Sequence, residues 1–360
     1  MFGSGWLARD VACEAAFDER TLEMTSRSVA LNGVLAAGIA VTSLLSTDAA
    51  GQAPARPVAP ARKAAALSRT AWGDPDIQGT WSNTTTTPME RPKDQADKTV
   101  LSEDEREALA RQVAERLDQD KPGTAGSVVP YNEFWYERGT LSNRTSLVVD
   151  PPDGRIPPLT SEAQKRWDDQ IAARKTQPAD SWLDRSSYDR CISRGMPGAM
   201  LPGFYNHNYQ IVQTQGYVAI LVEMIHDTRI IPLDGRPHLG NGVAQWLGDS
   251  RGRWDGDTLV VETTNLNDNV FERGAAWGFG SNVKMTERFK RLDPDHLDYQ
   301  FTIDAPMTFT RSWTVSTPMI KIKGPILEYA CHEGNYALPG ILGGARADER
   351  KADAKPGGKD

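Results

Sequence analysis

The sequence predicts a mainly β protein: an antiparallel up-and-down barrel carrying a loop-rich, partly helical N-terminal arm. Three observations lead there. Short runs rich in Val, Ile, Tyr, Phe and Thr follow one another through the second half of the chain, among them "YQIVQT", "YVAILVEMI", "TRIIPL", "DTLVVETTN", "VKMTERFKRL" and "RSWTV". Turn residues separate them at Gln215-Gly216, Asp234-Gly235, Asp255-Gly256 and Asp293-Pro294-Asp295, a spacing of consecutive hairpins. In "LDYQFTI", Leu297, Tyr299, Phe301 and Ile303 alternate with Asp298, Gln300 and Thr302, so one face is apolar and the other meets solvent or a polar cavity. A meander of about eight strands fits if it closes, because closure removes exposed edges. A two-sheet β-sandwich is the alternative.

Taken from the start, residues 1–53 read as a leader. Met24 is the expected true start: Arg27 supplies a positive n-region, residues 29–45 an apolar stretch, and Gly51-Gln52-Ala53 a small-residue cleavage site. Export to the periplasm or outside the cell follows, with no membrane span after cleavage. Residues 54–69, Ala, Pro and Arg without periodicity, form a linker. Residues 70–190 form the mixed arm. There "GTWSN" suggests a strand, and Ser102 with Glu105 has capping-box spacing ahead of Leu109, Val113 and Leu117. A second helix is expected from Ser161 and Gln164 as box, with Ala163, Trp167 and Ile171 as its stripe. Between the helices, "RTSLVVDPPDGRIPPL" gives a strand and a turn cluster. Residues 191–345 hold the barrel, in which "YVAILVEMI", apolar on both faces, should be central or covered. Residues 346–360 read as a charged, disordered tail.

Without the leader, the chain's three cysteines reduce to Cys191 and Cys331. In an oxidising compartment such a pair is expected to bridge, tying the start of the barrel region to its end. The net charge of −7 argues against nucleic acid as a partner. A small molecule is the expected ligand, and oligomeric state is not legible.

The phrases "GFYNHNYQIVQTQGYVAILVEMIHDTRIIPLDGRPH", "GDSRGRWDGDTLVVETTN", "TERFKRLD", "SWTV" and "LEYACHEGNY" resemble those of a large group of exported bacterial proteins usually described as hypothetical. The resemblance covers most of the mature chain. It implies a shared β-rich fold and brings no established reaction. The hairpin pattern is also similar, at fold level, to calycin or lipocalin-like barrels, which include carriers and a few cofactor-free enzymes such as phenolic acid decarboxylases.

Among motifs, "GDSRG" matches the serine nucleophile elbow G-x-S-x-G, but "RWDGDTLVVE" follows it and no helix can start there, so Ser250 is set aside. No glycine-rich phosphate loop and no H-E-x-x-H occurs, and His226, His238 and His332 lie on separate turns; no organic cofactor and no metal is expected. Carboxylates inside apolar runs are more telling: Glu223, Glu262, Glu287 and Glu328. Buried glutamate is costly unless it neutralises or finds a cation. Cross-strand salt bridges on a solvated face explain Glu287 and Glu328 most simply. Glu223, His226 and Arg229 cluster around one turn, with His207 at the start of the preceding strand. A histidine beside a carboxylate suits general acid or base work, and an arginine can hold an anionic oxygen. The candidate catalytic set is therefore Glu223, His226, Arg229 and His207. Candidate binding residues are Tyr205, Asn206, Asn208, Arg251, Trp246, Trp254 and Glu262, with Trp277 as a further aromatic wall. The expected function is cofactor-independent acid/base catalysis in a barrel cavity on a small aromatic substrate, by a lyase, decarboxylase or hydrolase. The alternatives are a non-catalytic carrier or sensor of a hydrophobic ligand, and a structural envelope protein.

Overall fold

In the computed structural model, residues 68–121, 131–176, 179–240, 242–267 and 282–354 are described. The expected leader, most of the linker and Trp277 lie outside them.

The strands are β1 (Gly79–Ser82), β2 (Val148–Asp150), β3 (Asn208–Gln213), β4 (Tyr217–Val222), β5 (Thr228–Pro232), β6 (Asp249–Asp255), β7 (Thr258–Thr264), β8 (Lys284–Arg291), β9 (His296–Asp304), β10 (Trp313–Ser316) and β11 (Met319–Lys321). They form one 11-stranded antiparallel sheet whose main path runs β5-β4-β3-β1-β11-β9-β8-β7-β6. It curls into a nearly closed barrel. The alternative of two separate sheets is excluded by this continuous ladder.

The path differs from a plain meander. β1, from the arm, pairs with β3 through Trp81↔Tyr209 and with β11 through Trp81↔Lys321, joining the β3–β5 hairpins to the β6–β9 hairpins. β2, also from the arm, pairs with β10, which runs beside the far half of β9. The arm therefore supplies strands to the sheet. A strand as short as "GTWS" gives no periodicity with which to assign it a place in a sheet.

An antiparallel path of nine strands leaves its first and last members, β5 and β6, pointing the same way. No hairpin ladder closes that seam, and side chains fill it instead. Gly252 makes the close approach possible: a Cβ there would meet Leu233 Cδ2 at 2.6 Å and Ile231 Cγ2 at 2.9 Å.

Inward positions alternate as the sequence suggests. On β9, Leu297, Tyr299, Phe301 and Ile303 are buried and their neighbours half-exposed. The aromatic rings of Phe289, Tyr299, Phe301, Trp313 and Phe309 pack in series, with centroids 4.7 to 6.0 Å apart, each pair contributing about 0.5–1.5 kcal/mol beyond its burial. β4 corrects one expectation: Val218, Ile220 and Val222 are buried, but Ala219 and Leu221 are half-exposed and Tyr217 is exposed. An apolar outward face on a strand near the path's end simply meets solvent.

Among the described residues three α-helices lie outside the sheet: α1 (Glu103–Leu117), α2 (Ser161–Thr176) and α3 (Ala337–Asp353). Ser102 and Glu105 form the expected box on α1, worth about 1 kcal/mol. On α2 the cap is Thr160, not Ser161: Thr160 Oγ1 accepts from Ala163 N at 3.2 Å, and its carbonyl from Gln164 N at 2.8 Å. Two adjacent hydroxyl residues compete for this position, and the one still outside the helix takes it. α3 runs through residues 346–353, read from sequence as tail. Arg346 pairs with Glu349 and Lys351 with Asp348 along the helix, and Arg346 donates to the carbonyls of Ala179 and Asp180. The charge that suggested fraying is thus helix-compatible i,i+3 pairing.

A disulfide joins Cys191 to Cys331, with Cα atoms 5.6 Å apart. Among the described residues no helix is long and apolar enough to cross a membrane.

Candidate functional site

Strand directions give the barrel two unlike ends. Tight turns close one end after β3, β6 and β8, at 214–216, 256–257 and 292–295. Longer connections, after β4, before β6 and after β9, lie at the other, where functional loops have room to vary. Glu223 lies at this second end, directly after β4, on a 3-10 turn Met224–His226.

Glu223 is 2% exposed. Its backbone N–H donates to Asn208 O at 3.0 Å, extending the β3–β4 ladder by one rung. Its carboxylate accepts from Asn208 Nδ2 at 2.6 Å, Asn206 Nδ2 at 3.4 Å and Leu327 N at 3.2 Å. All three donors are neutral, and Glu223 forms no ion pair among the described residues. A second carboxyl, Glu137, faces the backbone N–H of Asn206 and the same Asn208 amide, while its own N–H donates to Phe204 O. Glu137 keeps an exposed edge, yet burial of the rest, and then the charge of Glu223, raise its pKa above the ordinary carboxyl value.

His207 sits beneath this pair, 4% exposed. Arg194 donates to its Nε2; since a guanidinium can only donate, Nε2 is the bare nitrogen, and Nδ1–H donates to Tyr205 O. Burial, followed by the charge of Arg194, lowers its pKa to about 3. His207 is therefore neutral, with its lone pair committed. Gly203 gives the ring its space: a Cβ would come within 2.0 Å of Cε1. Arg194 lies over the Tyr188 ring, 5.4 Å from its centroid, and the Tyr188 hydroxyl points to Met224 Sδ at 3.6 Å. Burial, and then the proximity of Tyr205 and Tyr329, pushes the Tyr188 phenol far above its ordinary range. Among the described residues, four of the five non-glycine residues with left-handed backbone, Cys191, Asn206, Ile225 and His226, fall in these segments. Such strain persists where surrounding structure fixes it, and it concentrates at functional sites.

Of the residues singled out from sequence, Glu223, Tyr205, Asn206, His207 and Asn208 come together. His226 and Arg229 leave the group. His226 is exposed on the turn with φ 65°. Arg229, one register step into β5, points to the barrel interior instead. Its Nη1 and Nη2 donate to Glu287 at 2.9 and 2.6 Å, and Nη2 also to Ser250 Oγ at 3.1 Å and Thr263 Oγ1 at 3.3 Å. The Tyr299 hydroxyl completes Glu287 at 2.9 Å. The two charged side chains are 1% and 0% exposed, so the expectation of a solvated Glu287 salt bridge fails. A polar residue from each of β5 to β9 meets at this level, and strand period alone cannot show that a lone acid and a lone arginine share a layer. Glu328, by contrast, is exposed.

Arg251 and Glu262 belong to a third cluster. Asp249 accepts from Arg251, from His238 Nδ1 at 3.0 Å and from Leu239 N at 2.9 Å, while Glu262 lies 3.4 Å from both His238 Nε2 and Lys284. These contacts clamp the loop before β6. Trp246 is half-buried on that loop, and Trp254 packs onto the core. Sequence reasoning missed Glu137, Arg194, Tyr188 and Tyr329. Their signal was faint, since they come from irregular segments far apart along the chain. No group of three His, Cys, Asp or Glu placed to hold a metal ion is found among the described residues.

No known protein family matches the chain, and no curated protein does either.

Proposed function

We propose that this protein is an exported, cofactor-independent enzyme of lipocalin-like form that performs acid/base chemistry at the Glu137–Glu223 pair on a small aromatic substrate. One observation carries the reading: Glu223 is buried on neutral donors alone, beside a second carboxyl that shares its asparagine. Two neighbouring carboxyls in unlike surroundings, one buried on neutral donors and one reaching solvent, suit an acid and base couple. Glu137, whose pKa is raised, delivers a proton from the exposed edge; Glu223 takes one up. Tyr205, Tyr188 and Tyr329 lie close to one another and to Arg194, and offer aromatic faces suited to a flat ring. Arg194, fixed against His207 and the Tyr188 ring, adds positive field on this side of the site, while Arg229 and Arg251 lie elsewhere on Glu287 and Asp249. A lyase, decarboxylase or hydrolase would each use this couple. Export accords with the leader-like first 53 residues and the Cys191–Cys331 bond.

The test is incubation of the purified protein with a mixture of phenolic acids and small esters, following bound and converted species by mass spectrometry. Conversion that vanishes in Glu223→Gln and Glu137→Gln is expected. Retention of a compound unchanged would make the protein a carrier and end the catalytic reading.

A further inference from the structure

After β11 the chain crosses the site as a strap, residues 322–336, before entering α3. The strap joins no strand. Ile322 N donates to Thr80 O at its start, and its other backbone bonds, such as Glu333 N to Ala330 O and Asn335 N to His332 O, are internal. What ties its middle to the barrel is the Leu327 N–H on Glu223 Oε1, Tyr329 packed beside Tyr188, and the disulfide from Cys331 to Cys191. The Leu327 side chain is 63% exposed, so apolar burial does not hold this residue over the acid. Cys191 itself stands at φ 53°, a conformation that a non-glycine residue keeps only when its surroundings fix it.

We infer that the strap is a lid over Glu223, held shut by the Cys191–Cys331 bond, and that Leu327 N–H occupies the carboxylate oxygen a substrate's own O–H or N–H group takes when the lid lifts. The substrate class is thereby narrowed to hydrogen-bond donors, phenols and amides among them. The inference rests on the reading of Glu223 as the base. Opening is a two-electron step: the two thiols of a dithiol reductant give up two electrons and two protons, the Cys191–Cys331 bond breaks to two thiols, and the reductant closes to its own disulfide. With that tether gone, the Leu327 backbone hydrogen bond, Tyr329 and the contact of Asn335 Nδ2 with Cys191 Sγ hold the strap, few enough contacts for it to open locally while the sheet stays closed.

Hydrogen exchange on the full-length protein tests this, read by mass spectrometry with and without dithiothreitol, and in Cys331→Ser without reductant. Peptides covering 323–336 should exchange about tenfold faster or more after reduction in the first minutes of labelling, with β8 and β9 peptides still protected. Cys331→Ser should match the reduced protein. Strap protection unchanged by reduction overturns the inference. So does simultaneous loss of protection in β8 and β9, which would make the bond a general staple. Failure of the functional reading would show elsewhere, as substrate turnover indifferent to Glu223→Gln whatever the strap does.

Discussion

Glu287 and Glu223 are both buried acids that interrupt apolar runs, and the barrel treats them differently. Glu287, inside, receives a two-pronged arginine and a tyrosine hydroxyl, and the same arginine donates also to Ser250 and Thr263 on neighbouring strands. Glu223, at the looped end, receives two asparagine amides and one backbone N–H. The first arrangement cancels charge and fills the centre of the barrel, where it also bridges the seam between β5 and β6 that no ladder closes. The second satisfies a carboxylate without cancelling its charge and leaves a second acid beside it. Burial of an acid is therefore not by itself a sign of function; the nature of its partners separates structure from chemistry.

The comparison breaks most readily at Arg229. Arg229→Met leaves Glu287 charged or protonated without its cation, and denaturant unfolding should show a loss of about 3–5 kcal/mol. The double variant Arg229→Met, Glu287→Leu should lose much less, because both charges leave the interior together. If the single and double variants cost the same, the pair is not the unit described.

At the other acid the large effect is on turnover. Glu223→Gln should reduce conversion of an identified substrate by about 10²-fold or more. Its stability cost should stay near 1–3 kcal/mol, since the amide NH2 then faces a donor on one side, either Asn208 or the pair Asn206 and Leu327. A variant that unfolds instead would place Glu223 with Glu287 as a structural acid.

Two smaller changes sharpen the contrast. Gly203→Ala pushes a methyl into the His207 ring and should cost about 1–3 kcal/mol, most of it restored by adding His207→Ala. Tyr299→Phe removes one of the donors to Glu287 and should cost about 1–2 kcal/mol, with no effect on turnover.

His207 also sets a pH dependence. Its folded pKa of about 3 lies below the unfolded value of about 6.5, so the unfolded chain binds more protons in that interval. The stability it contributes is complete above about pH 6.5 and is lost as pH falls toward about 3. Replacing His207 with Asn should flatten the stability slope across that window in denaturant titrations at stepped pH. An unchanged slope would show that the imidazole is already charged in the folded protein.

Period and turn chemistry made most of the barrel legible. Alternation in "LDYQFTI", Asp-Gly turns and the Ser102–Glu105 box are local signals, and each element they mark is present. β11 escaped because a strand of three residues carries no usable period, and β1, marked as a strand, had too few residues to show its place in the sheet. At the site, Asn206, His207, Asn208 and Glu223 were legible because one hairpin joins them. Glu137 and Arg194 were not, since nothing local tells that residues far away in irregular segments will face the same carboxylate.

What the sequence determined by itself was the kind of structure: strand period, turn positions, helix starts and a pair of cysteines are written over short distances, where backbone sterics and side-chain polarity act directly. Which way a side chain points relative to distant neighbours was decided only by tertiary structure. Glu223, His226 and Arg229 lie within one turn of chain, yet closure of the sheet sends Arg229 inward to Glu287, leaves His226 in solvent and draws Glu223 under the strap. Contacts between remote segments depend on sheet order and register, and those follow from packing the whole barrel at once.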